Sequence, residues 1–171
     1  DPAVVNLTDV ESNFQEKRPF FTEGASIYRF GYGGTNNTVS FNWPTTNIFY
    51  SRRIGRAPQG SLPPYDYADI PNGTHILGAA KISGQVYDNW KFGTIQSLTK
   101  REFADISVEG LNSSVEVEPL TYYGVLRLQR DFNAGAQGFG VLSTFTNRFF
   151  NDPTLSSSIN KNAFVAAGDG W

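Results

Sequence analysis

The residues most able to do chemistry in this chain are arginines and carboxylates set in short aromatic contexts. Arg52, Arg53 and Arg56 cluster in "IFYSRRIGRAPQG", residues 48–60, while Phe20, Phe21 and Glu23 lie upstream in "RPFFTEG". A guanidinium fork matches the oxygens of carboxylates and phosphates, so the cluster could hold an oxyanion or a lipid headgroup. It could equally pair within the chain, with Glu16, Glu23 or Asp69, and stack on Phe49 or Tyr50. Acids and aromatics stand close by and the net charge is only −2. The expectation is therefore a structural tie between the "RRIGR" loop and the "FFTEG" segment. Glu23, Arg52, Arg53, Arg56, Phe20, Phe21 and Tyr50 are its structural or interaction residues, and none of them is read as catalytic.

Other groups form no reactive constellation. Glu11, Glu16 and Glu23 offer carboxylates for glycoside chemistry, which needs a pair flanking the bond, but a chain with 16 acids always offers such pairs. Asp66 and Asp69 in "YDYAD" supply oxygens without a full calcium loop. His75, the only histidine, has no acid and nucleophile spaced for a triad. The glycines at 31–34 and 135–140 mark turns and do not open a helix, as a phosphate loop would. Trp43, Trp90 and Trp171 with the tyrosines would suit a sugar platform, a core, an interface or a membrane-surface belt. The Asn-x-Ser/Thr matches at Asn6, Asn36, Asn72 and Asn112 carry meaning only in a eukaryotic secretory context. No catalytic residue, metal site or cofactor is expected.

The elements that must position these residues read as β-structure. The chain has 171 residues, 39% hydrophobic and 18% charged, which suits one domain with a core. The slight negative charge argues against a nucleic-acid footprint. No apolar run is long enough for a membrane-spanning helix, a test that does not reach spanning strands. Cysteine is absent, which removes disulfides and thiolate metal sites, and so is methionine.

Thr8 and Glu11 have capping-box spacing for one short helix, which Pro19 would end. Residues 31–47 and 55–74 read as loops, the second anchored by Tyr65, Tyr67 and Ile70. From Thr74 the texture changes to period-2 alternation. Ile76, Gly78, Ala80, Ile82, Gly84 and Val86 fall on one face, and Lys81, Ser83 and Gln85 on the other. Tyr122, Gly124, Leu126 and Leu128 oppose Arg127, Gln129 and Asp131 in the same way. The spacing predicts two hairpins, with strands near 76–86 and 91–99, then 122–131 and 138–148. Asp88-Asn89 and "NAGAQ" form their turns. Residues 151–171 read as an irregular surface tail. The long strands suit either a barrel wall or an ordinary antiparallel sheet with one wet face.

Five stretches in order resemble a family of bacterial envelope proteins of uncharacterised function. They are "DPAVVNLTDVESNFQEKRPFFTEG" (1–24), "FYSRRIGRAPQG" (49–60), "ILGAAKISG" (76–84), "VEPLTYYGVLRLQRDF" (117–132) and "TFTNR" (144–148). In that family a family-9-like carbohydrate-binding domain precedes a C-terminal domain resembling an outer-membrane β-barrel. The resemblance implies a segment from the front of that C-terminal domain, within a longer precursor, in the periplasm or outer membrane.

Combined with the pattern, the fold expectation is mainly β. Antiparallel hairpins at 74–150 form an open sheet or partial barrel behind a loop-rich 1–73, within a single domain, 1–171. Four strands cannot close a barrel, so a partner must cover the sheet. The functional expectation is a non-catalytic extrinsic subunit stabilising a membrane-protein complex near the membrane, a photosynthetic reaction-centre or light-harvesting assembly being one candidate. The alternative is an outer-membrane β-barrel segment linked to carbohydrate binding or uptake. Protein subunits are the expected partners, carbohydrate is possible, and nucleic acid is not expected.

Overall fold

The computed structural model describes residues 14–31, 47–87 and 89–171. The expected helix start at Thr8–Glu11, most of the loop at 31–47 with Trp43, and Asp88 lie outside the described residues. The described chain is mainly antiparallel β, arranged as two sheets.

The larger sheet has five strands: β2 (Ile76–Tyr87), β3 (Trp90–Thr99), β6 (Leu120–Phe132), β7 (Gln137–Phe149) and β8 (Asn162–Gly170), neighbours in that order. The two expected hairpins are present as β2–β3 and β6–β7. Asn89 takes the left-handed conformation at the first turn, and Asn133, Ala134 and Gly135 take it in succession at the second. Asparagine tolerates that region through local hydrogen bonding, which is why both turns were readable.

A third hairpin joins β3 to β6. It consists of β4 (Glu102–Val108) and β5 (Leu111–Glu118), and the short β1 (Tyr67–Asp69) pairs with β4 to make a three-stranded sheet. Its Glu109-Gly110 turn has positive φ at both residues, the twist that a two-residue hairpin favours. β1 corrects the reading of 55–74 as an anchored loop. Tyr65, Tyr67 and Ile70 are all exposed. The connection is held by its backbone instead: Gly60 N–H donates to Val117 O at 2.8 Å and Asp66 N–H to Ser107 O at 2.9 Å.

The tail is a second correction. Residues 151–171 are not irregular. Helix α2 (Pro153–Ser158) is capped by the Asp152 side chain, which accepts from Thr154 N–H, and leads into β8. β8 pairs with β7 from Asn147↔Asn162 to Phe139↔Gly170. Its alanines and glycines carry little β-propensity, so tertiary pairing rather than local preference makes it a strand.

The N-terminal segments lie across the middle of the five-stranded sheet. Helix α1 (Pro19–Thr22) and 3₁₀ turns at Ala25–Tyr28 and Ser51–Arg53 bring Phe21, Tyr28 and Ile54 onto Ile95, Val125 and Leu142. Gly93 has no side chain under the Tyr28 ring, where a Cβ would stand 3.0 Å from the nearest ring carbon. The Tyr28 hydroxyl donates to Thr94 O at 3.0 Å.

Candidate functional site

Strand pairing sorts the side chains of the five-stranded sheet into two faces, because directly paired residues point the same way. The outer face can be read as rows across the sheet. Tyr87, Trp90, Arg130, Phe139 and Gly170 form one row. Gly84, Phe92, Leu128, Val141 and Gly168 form the next, followed by Ile82, Thr94, Leu126, Ser143 and Ala166. Then come Ala80, Gln96, Gly124, Phe145 and Phe164, and finally Gly78, Leu98, Tyr122, Asn147 and Asn162.

This face is apolar and open. Ile82 is 65% exposed, Phe164 70% and Tyr87 72%, and Leu126, Leu128, Phe139, Val141 and Phe149 are also well exposed. Several of its polar side chains bond one another, while Asn147 Oδ1 is buried with no hydrogen-bond partner among the described residues. Tyr122 donates to Gln96, Gln96 Nε2 to Thr94 Oγ1 at 2.7 Å, and Thr94 Oγ1 to Val125 O at 2.9 Å. Phe145 folds flat over Gly124, where a Cβ would fall 2.1 Å from its ring. Such an aromatic lid over a strand glycine keeps the surface apolar.

The inner face is covered along its middle and is mixed: it carries the apolar core of Ile95, Val125 and Leu142 and nearly all of the sheet's charge. Lys81, Lys91, Arg127, Asp131, Arg148 and Asp169 all project to it. Arg127 and Asp169 form a two-pronged ion pair, with Nη2 to Oδ2 at 2.7 Å, and their side chains are 1% and 5% exposed. Asp169 Oδ2 also accepts from Gly31 N–H at 2.8 Å, which ties the N-terminal segment to β8. Lys81 Nζ donates to Phe20 O and Glu23 O, clamping α1 from below. Lys91 pairs with Asp131 near the short turns. The distribution departs from the ordinary sheet with one wet face: the charges lie on the covered face together with the apolar core, and the opposite, largely apolar face is bare.

The sequence-designated cluster belongs to the inner-face cover. Phe20 and Phe21 sit on α1 with their rings edge to face at 4.9 Å. Tyr50 uses its hydroxyl at both the N–H and the C=O of Phe14. Arg52 lies 5.8 Å from the Phe14 ring centre, and Arg56 donates to Gln59. Glu23 takes part through its backbone carbonyl, which accepts from Lys81. Arg18 ties the two segments directly. Its guanidinium donates to Ile54 O at 2.6 Å and Ser51 O at 3.0 Å, and packs 4.3 Å from the Phe21 ring centre. Glu16 holds it, and also accepts from Ser51 Oγ at 2.6 Å. Burial pushes the Glu16 carboxyl up, but the hydrogen bonds from Arg18 and Ser51 outweigh that and bring its pKa down to about 2.

Two further carboxylates, missed by sequence reasoning, fix the junction between the sheets. Glu116, deeply buried, accepts from Arg101 Nε at 2.9 Å and from the N–H groups of Asn151 and Asp152. Glu118 accepts from Gln59 N–H, and burial raises its pKa despite that bond and the nearby Arg56 and Arg148. The signal was the alternation Val115-Glu116-Val117-Glu118, which places both acids on one face of a strand.

The remaining candidates disperse. His75 Nδ1 lies 2.7 Å from Glu102 Oε1; burial of Glu102 opposes its ionisation, but His75 outweighs it and lowers the pKa. Asp66 accepts from Glu109 N–H, while Asp69 faces Asp105 across the β1–β4 pair. Trp90 stands on the outer face and Trp171 packs on Gly138 of the inner one, so the two share no platform. Among the described residues no group of three or more histidines or carboxylates is arranged to hold a metal, and no helix is long and apolar enough to cross a membrane.

The fold and its two faces define an antiparallel β protein whose main sheet carries its core and nearly all of its charge on a covered face and leaves a largely apolar face exposed. The family model of the Domain of unknown function (DUF5916) matches residues 1–138, and the chain belongs to that family. No curated protein and no solved structure matches it significantly.

Proposed function

We propose that the five-stranded sheet is a sector of a transmembrane β-barrel of the bacterial outer membrane, with the N-terminal segments lying on its lumen side. The carrying observation is the sorting of charge. Among the described residues of the five strands, every charged side chain but Arg130 points inward, and Arg130 stands in the terminal aromatic row. An aqueous sheet has no reason to keep Lys, Arg and Asp off its open face, whereas a lipid-facing one does. Nine residues from Trp90 to Leu98 separate the outermost rows, close to the about 9–11 that a tilted spanning strand needs. The aromatic row has the composition of an interfacial belt. The edges of β2 and β8, unpaired among the described residues, call for further strands, since only a closed sheet satisfies its backbone in lipid.

In this reading the chain is a non-catalytic envelope component whose polar lumen, occupied by its own N-terminal segments, meets hydrophilic solutes. The resemblance points to carbohydrate as their class. The extrinsic-subunit reading draws on the same bare face, which a partner's apolar surface would cover, and the aromatic row with its single guanidinium favours lipid over protein. The test is flotation of the full chain with phospholipid vesicles. Co-flotation with protease protection of the 76–170 region is expected. A monodisperse, lipid-free chain that stays in the aqueous fraction contradicts the proposal.

A further inference from the structure

Arg130 is out of place by the rule that orders the rest of the sheet. It stands on the outer face, in the row of Tyr87, Trp90 and Phe139. Its guanidinium carbon lies 5.3 Å from the Trp90 ring centre and 4.9 Å from that of Phe132. Phe139 closes the ring cluster, edge-on to Trp90 at 5.7 Å and stacked on Phe132 at 5.8 Å. No carboxylate among the described residues pairs with it: the adjacent Asp131 points to the other face and is taken by Lys91. Its Nε is buried and has no hydrogen-bond partner among the described residues.

Beside Arg130 the surface opens into a cleft of about 480 Å³ lined by Val86, Tyr87, Trp90, Phe92 and Leu128. A stacked guanidinium with spare donors, joined through Trp90 to a shallow, open apolar depression, suits an amphiphile. The donors suit an oxyanion and the cleft suits a hydrocarbon chain.

We infer that Arg130 and this cleft form a binding site for an anionic glycerophospholipid. The phosphate sits on the guanidinium, and an acyl chain lies along Phe92 and Leu128. The cleft decides for lipid over a free phosphate ion, because one guanidinium among three rings offers a small anion little else. The site rests on the membrane reading, since it places the row of Tyr87, Trp90 and Phe139 at headgroup depth. Lipid recognition at that depth adds to, and does not replace, the non-specific insertion of the apolar band.

The test compares partition of the full chain into phosphatidylcholine vesicles with partition into vesicles containing phosphatidylglycerol. Wild type should favour the anionic vesicles, and Arg130→Gln should reduce that preference about five-fold, the effect of one basic residue near an anionic surface. Arg130→Lys should keep most of it. Excess inorganic phosphate should leave the preference intact. An unchanged preference in Arg130→Gln, or displacement by inorganic phosphate, overturns the site while leaving the membrane reading in place. Failure of wild type to partition into either vesicle overturns both.

A measurement that leaves Arg130 intact covers the case in which Arg130→Gln does not fold. With Trp43 and Trp171 replaced by phenylalanine, Trp90 emission should be quenched more by brominated phosphatidylglycerol than by brominated phosphatidylcholine in mixed vesicles. Equal quenching counts against the site.

Discussion

The outer and inner faces of the five-stranded sheet are built from the same strands, residue by residue in alternation, yet they obey opposite rules. Leu126 and Arg127 are neighbours in sequence. Leu126 is exposed and Arg127 is 1% exposed. In a water-soluble sheet the assignment would be reversed, because leaving leucine in water while burying a guanidinium forgoes hydrophobic stabilisation and adds desolvation cost. Most inner-face charges have partners: Arg127 meets Asp169, Lys91 meets Asp131, Lys81 donates to two carbonyls and Arg148 donates to Asn160 O. Under the membrane proposal lipid, not water, is the solvent of the outer face.

The contrast can be broken from either side, and the largest effect is expected on the inner face. Replacing one partner of a buried ion pair leaves the other charge uncompensated. Asp169→Asn should therefore destabilise the folded chain by about 3–5 kcal/mol in urea titrations of the micelle-bound protein. Joint replacement of Arg127 and Asp169 by methionine and leucine should cost much less than the single change.

On the outer face the effect should appear in lipid and not in packing. Leu126→Lys places a charge in the central row and should cost about 2–4 kcal/mol of membrane insertion, measured by vesicle partition. Ser83→Lys, on the inner face of β2, should change partition little. Similar losses for both would erase the distinction between the faces.

How the N-terminal cover is held can be read from pH. Glu16 has its folded pKa lowered from 4.5 to about 2. A depressed carboxylate stabilises the fold above its unfolded pKa, and that contribution disappears as pH falls through the folded value. Stability from the Glu16–Arg18–Ser51 cluster should therefore be full above about pH 4.5 and decay toward pH 2. Glu16→Gln should flatten that part of the profile, followed by Tyr28 emission or by proteolysis within 14–31. The smallest change is expected for Tyr28→Phe, which removes the hydroxyl bond to Thr94 O and should cost about 1 kcal/mol.

Much of the sheet was legible because period-2 alternation is strong in β2 and β6. Ile82 against Lys81, and Leu126 against Arg127, mark two faces in the sequence itself. Which face would be covered was not legible, since alternation is the same whether the apolar side meets a core or lipid. The β4–β5 hairpin has a readable turn in Glu109-Gly110, but its strands alternate less strongly than those of β2 and β6. β8 had almost no signal, because Ala163, Ala166 and Ala167 become a strand only by pairing with β7. At the candidate site the sequence points to the arginine–aromatic cluster of Arg52, Arg53 and Arg56 with Glu16, Glu23 or Asp69 as partners, and gives no sign of Arg18. Arg18 and Glu16 carry the described tie, through main-chain acceptors 33 and 36 positions away, and no spacing rule exposes such bonds. Arg130 gave no sequence signal apart from the charged residues around it; only the register sets it among Trp90, Phe132 and Phe139.

The central claim is that lipid, not water or protein, covers the outer face. The cysteine-free sequence allows single nitroxide labels to be placed without background. Labels at Ile82, Leu126 and Phe164 and at the inner-face neighbours Ser83 and Gln85 should be compared by collision with oxygen, which concentrates in lipid, and with a water-soluble nickel chelate. In vesicles containing the full chain, the first three positions should be open to oxygen and closed to nickel, and Ser83 and Gln85 should lack that oxygen preference. Equal nickel access at Ile82, Leu126 and Phe164, or no alternation between Ile82 and Ser83, would contradict the account.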